Sequence, residues 1–113
     1  MAALTPVTPL RDGALNPGSA VAASDTINVA VMGPLGVYLE IINANASPDV
    51  MTISDAGLTP SGSPLTGGTF TQTVANATSR IFFIARSQIN LATGLVTVTH
   101  SVTATVTYKM YPH

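Results

Sequence analysis

At 113 residues, without a single cysteine, the chain is one domain large enough for a modest core, and disulfides, thiolate metal sites and a cysteine nucleophile are excluded. Net charge is −1, and four basic residues (Arg11, Arg80, Arg86, Lys109) are few for neutralising a phosphate backbone, so nucleic acid is not expected as a partner. Charged residues are only 8% of the chain, against about 25% in ordinary soluble domains, so few charges are left to keep one copy from another.

Residues 1–25, "MAALTPVTPLRDGALNPGSAVAASD", hold Pro6, Pro9 and Pro17, which push the residues before them toward extended backbone and break any periodicity. The segment reads as an extended N-terminal arm with a turn near Arg11-Asp12-Gly13. Its opening has no basic n-region and carries prolines where an apolar h-region would sit, so a secretory signal is not expected. A disordered tail is the plain alternative. Against it, Leu4, Val7, Leu10, Leu15 and Val21 are more apolar than a solvated tail requires. Such an arm must lie on something, either its own domain or a neighbour. Leu4, Val7, Leu10 and Leu15 are therefore candidate partner-binding residues.

From residue 26 to 113 the pattern is that of a β-domain. "TINVAVM" (26–32) and "GVYLEIIN" (36–43) are predicted strands separated by Gly33-Pro34. The apolar run they share is too short and too broken by Gly33, Pro34, Gly36 and Glu40 to span a bilayer as a helix, so no membrane is expected. "NANASPD" (43–49) is a loop, because Asx and Ser side chains bond the local backbone, and "VMTIS" (50–54) a short strand. Residues 55–68 form a long Gly/Pro-rich loop of the kind that tends to be functional or mobile. "TFTQTV" (69–74) alternates, "SRIFFIA" (79–85) is the most apolar run and predicts a central strand, and "NLATG" (90–94) predicts a turn. No window shows a convincing helical period. Six to eight short strands predict an all-β fold, a small β-sandwich or barrel. Because the regular pattern starts at Thr26, the domain is expected to fold without the arm.

"VTVTHSVTATVTYKM" (96–110) places Val, His, Ala, Tyr and Met on one side and Thr, Ser and a single Lys on the other. As one strand it would span roughly 50 Å at about 3.3 Å per residue. A three-residue loop would keep the phase but usually requires a residue at positive φ, and no glycine follows Gly94. The alternation therefore predicts one long strand, bent or bulged near His100, with a hydroxyl-rich, nearly uncharged face suited to an interface.

Residues that could carry chemistry are sparse. His100 sits inside this Thr/Val run with no acidic residue near it in sequence, which predicts a partly buried histidine bonded to a hydroxyl or backbone group rather than a triad member. The five acidic residues are scattered and form no Asp-x-Asp cluster, and "PSGSPLTGG" lacks the Gly-Lys-Ser/Thr of a phosphate loop. No enzymatic activity, cofactor or metal is expected. Arg80 and Arg86 flank "IFFIA". They are either the cationic ends of a strand reaching water or candidates for pairing with a partner's carboxylates.

The Pro-rich neutral arm "TPVTPLRDGALNPGSA", the "DTINV" that leads into the first strand and the Thr/Val-alternating C-terminal strand together resemble the small head decoration (capsid cement) proteins of tailed bacteriophages, most of all those of phages infecting actinobacteria. The resemblance covers most of the chain and rests on layout and short matches. It implies a non-enzymatic β-domain on the outer surface of the virion, bound to the major capsid protein, commonly as a homotrimer, reinforcing the head. Two other classes share some of these features. A tail or head–tail component would also be Thr-rich and assembled, and an Ig-like adhesive or carbohydrate-binding module would need exposed aromatic rings.

Overall fold

A computed structural model describes residues 2–7, 11–13, 18–55 and 69–113. Among them are nine strands: β1 (Ala2–Ala3), β2 (Ser19–Ala20), β3 (Ser24–Asn28), β4 (Gly36–Asn43), β5 (Asp49–Ser54), β6 (Thr69–Val74), β7 (Thr78–Ala85), β8 (Leu95–His100) and β9 (Val106–Pro112). They form two facing sheets, ordered β1-β3-β8-β5-β6 and β2-β9-β4-β7. All pairings are antiparallel except β1 with β3. The fold is an all-β sandwich. Of the consecutive described strands, only β5 and β6 lie in the same sheet; every other step passes from one sheet to the other.

Alternation explains the core. One side of each strand faces the opposite sheet: Ile27, Met51, Ile53, Val74, Val96 and Val98 from the five-stranded sheet, and Val37, Leu39, Ile41, Ile84, Val106 and Met110 from the four-stranded one, all essentially without exposure. Gly36 allows β4 and β7 to approach, because at φ +139° a Cβ there would stand 2.1 Å from the Ile84 carbonyl oxygen.

Three expectations change. The first strand stops at Asn28, whose side chain accepts from the Ala30 N–H at 2.9 Å and turns Val29–Val31 into a 3₁₀ turn. β7, expected to be central, is the edge of its sheet; its run is apolar because the outward face is apolar too. The run 96–110 is two strands, β8 in one sheet and β9 in the other, joined by a crossover at residues 101–105.

That crossover keeps the alternation in phase, since the inner faces of both sheets look into one core. The positive-φ residue it needs is Thr105, at φ 55°. A β-branched residue in this region is strained by roughly 1–2 kcal/mol. Thr105→Gly is expected to relieve that strain, partly offset by the greater freedom of glycine in the unfolded chain, and to raise the melting temperature by a few degrees. A lower melting temperature would show that the threonine contributes more here than its backbone costs.

Candidate functional site

The described part of the arm lies on its own domain. Leu4 is only 4% exposed and belongs to the core, its N–H bonded to the Thr26 carbonyl at 2.8 Å. Thr5 N–H meets the Tyr108 hydroxyl at 3.0 Å, and half-buried Val7 bonds the Met110 carbonyl at 2.7 Å. Ala2–Ala3 and Ser19–Ala20 add to β3 and β9, so the arm clasps both sheets. The expected turn is present at Arg11-Asp12, with Gly13 at φ 86°. Leu10 and Leu15 lie outside the described residues, as does most of the 55–68 loop.

The two arginines are occupied by backbone oxygens of this chain. Arg80 points inward from β7, lies over the Phe82 ring at 5.3 Å and donates to the Thr73 carbonyl at 2.9 Å, closing the open side of the sandwich. Arg86 donates to the Gly33 carbonyl at 3.1 Å. Neither hydrogen bond involves a carboxylate. Both guanidinium groups remain exposed.

His100 has the acidic neighbours that its sequence surroundings lack. Its Nδ1 stands 2.7 Å from Asp49 Oδ2, the distance of an N–H donating to a carboxylate. Its Nε2 is 3.9 Å from Asp25 Oδ2. All three side chains are buried on the inner face of the five-stranded sheet. Asp49 Oδ1 also accepts from the N–H groups of Ser101 and Val102, at 3.0 and 3.2 Å, where the crossover begins. Asp25 Oδ2 takes the Ala22 N–H at 3.1 Å. Among the described residues, Nε2 of His100 and Oδ1 of Asp25 have no hydrogen-bond partner. An Asp–His pair of this kind orients a catalytic imidazole only when the other nitrogen faces a nucleophile. Here it faces a second carboxylate, inside the core. The geometry is that of a tie holding the crossover to β3 and β5.

Local sequence could not join residues 25, 49 and 100. Phase could have flagged them: Asp25 alternates with Ile27, Asp49 with Met51 and Ile53, and His100 with Val96 and Val98, all buried.

The outer faces differ sharply. On the five-stranded sheet, register aligns Ser24, Thr99, Thr52 and Thr71 in one row across four strands. The Thr52 and Thr99 hydroxyls bond each other, and the Ser54 hydroxyl accepts from Thr97 N–H at 2.8 Å. With Val50 and Thr73 beside them, this face carries no charged side chain. The expected single threonine face of 97–107 is thus divided: Thr97 and Thr99 are here, and Thr107 lies on the other sheet's outer face.

The four-stranded sheet presents Phe83, Tyr38 and Tyr111 in one row and Ile81, Glu40 and Lys109 in the next. Tyr38, Phe83 and His113 form a ring cluster, with centroids 4.6–5.9 Å apart and planes tilted by 40–83°. A shallow recess of about 340 Å³, lined by Ile42, Asn43, Ala44, Ala77, Thr78 and Ser79, brings no ionisable group together. Among the described residues no group of three or more His, Asp or Glu side chains could hold a metal.

No family model, no curated protein and no solved structure matches this chain.

Proposed function

We propose that this chain is a decoration (cement) protein of a tailed-phage head, which binds the outer surface of the major capsid lattice and stabilises it without chemistry of its own. The observation that carries the reading is the uncharged, hydroxyl-bearing outer face of the five-stranded sheet, a surface suited to permanent coverage. The sequence resemblance adds a homotrimeric arrangement and a place on the virion exterior. With Leu4 taken by the core, Val7, Leu10 and Leu15 remain the arm's proposed capsid contacts. A tail or head–tail component is the alternative; copy number per virion relative to the capsid protein separates the two. The exposed rings give less support to a carbohydrate-binding module, since they pack edge-to-tilted on each other instead of forming a flat platform.

A ligand that binds only the intact lattice stabilises it by mass action, and many copies add their contributions. Particles stripped of the protein are expected to survive heating or osmotic shock less well, and to recover when it is returned. Equal survival of bare and decorated particles would refute the function. Because the proposed contact face has no charges to screen, rebinding is expected to vary little with salt. A steep salt dependence would shift the contact to Arg80 and Arg86.

A further inference from the structure

A sheet edge exposes a row of unpaired backbone donors and acceptors, and proteins protect such edges with short strands, prolines, lysines or bulges. In this sandwich, β1 and β2 are edges of only two residues each. β6 is the other long edge, and Arg80 covers it by donating to the Thr73 carbonyl. Among the described residues, β7 has no such device. It runs for eight residues without proline or lysine, and its register with β4 is unbroken from Ala85 opposite Gly36 to Thr78 opposite Asn43. Its one cation, Arg80, is turned away onto β6. Its outward side chains include Ile81 and Phe83, exposed by 65% and 48%.

We propose that the β7 edge pairs with β7 of a second copy of this chain, antiparallel about Phe82, joining the two four-stranded sheets into one of eight strands. The occupant follows from the self-complementarity of the strand. A twofold axis at Phe82 sets Ile81 opposite Phe83 of the other copy, and Phe83 opposite its Ile81, all four on the outer face. Cross-strand pairs of aromatic and β-branched residues are among the favourable ones. Ser79 meets Ala85, and Arg80 meets Ile84 instead of another Arg80, so no like charges oppose. The rows already on the sheet then continue across the seam: Tyr111, Tyr38 and Phe83 lead to Ile81, Glu40 and Lys109 of the second copy. An isologous contact closes as a pair. It is therefore distinct from the threefold arrangement that the resemblance implies, and it uses the sheet opposite the hydroxyl face.

Sedimentation of the purified chain over a hundredfold concentration range tests the pairing. The mass is expected to rise from 11.5 kDa toward twice that value. Ile81→Lys, at an exposed position, is expected to keep the circular dichroism spectrum and to weaken association at least 100-fold. The absence of cysteine from the chain makes a second measurement clean and independent of the lysine variant. Ile81→Cys mixed with Phe83→Cys should form the mixed disulfide in preference to either like pair. A chain that stays monomeric throughout, an oligomer unaffected by Ile81→Lys, or cross-linking without preference for the 81–83 pair would overturn the proposal. None of these outcomes bears on whether the protein protects capsids, which the stripping experiment reads separately.

Discussion

Replacing His100 with alanine is expected to cost about 3 kcal/mol or more, because it leaves a buried carboxyl oxygen without its hydrogen-bond partner and opens a gap in the core. Here the removal takes from buried Asp49 Oδ2 the ring nitrogen 2.7 Å away and leaves a gap beside Asp25, which is also fully buried. A domain of this size has roughly 5–15 kcal/mol in total, so the variant should lie near the edge of folding. Asp49→Ala should be at least as damaging, because Asp49 also accepts from Ser101 and Val102 at the start of the crossover. Asp49→Asn retains an oxygen for those donors and is expected to be milder. Urea titration checks the series: the midpoint should fall in the order wild type, Asp49→Asn, then the two alanine variants, with the slope unchanged. A loss below about 1 kcal/mol for His100→Ala would mean that the imidazole is a bystander.

The second large effect concerns the arm. Leu4→Ala is expected to cost about 2–5 kcal/mol, as for other leucines truncated in packed cores. Deleting residues 1–24 should cost more, since it also removes Val21 from the core and strips the short strands from β3 and β9. The expectation that 26–113 folds by itself is revised accordingly: the deletion should unfold the domain or leave it without a cooperative thermal transition. If the truncated chain melts at the temperature of the full one, the arm is an appendage after all.

Much of the architecture is legible in the sequence because period-two alternation needs only local information. Strands β4, β5, β6 and β7 fall within one residue of their predicted limits. The Asx loop at 43–49 is also as expected, with Asn43 Oδ1 accepting from Asn45 N–H and Asn45 Oδ1 from Ser47 N–H, both at 2.9 Å. What alternation does not encode is which sheet a strand joins. Val96 to Met110 keeps one phase while changing sheets, and the positive-φ position that marks the change holds a threonine, Thr105, where a glycine is the usual signal. Leu4 reads as part of the arm because prolines erase periodicity around it, whereas its burial depends on tertiary packing. Hydrophobicity alone gives "SRIFFIA" a central place. A strand apolar on both faces can instead be an edge whose outer face awaits company.

The passage of the chain from sheet to sheet at almost every connection has a kinetic consequence. Apart from β5 with β6, each ladder must wait for a partner distant in sequence, the situation in which all-β domains fold in milliseconds to seconds rather than microseconds. The reverse step is impeded in the same way. Neither sheet can separate as a unit, because each is stitched to the other by successive crossings and by the arm that enters both. Opening one corner exposes core without releasing a whole layer, so partial unfolding yields little freedom for the surface it uncovers. Unfolding is then expected to cross one concerted barrier and to be slow, which unfolding rates followed in urea would read. Endurance of that sort is a matter of the rate of unfolding and not of the depth of the free-energy well.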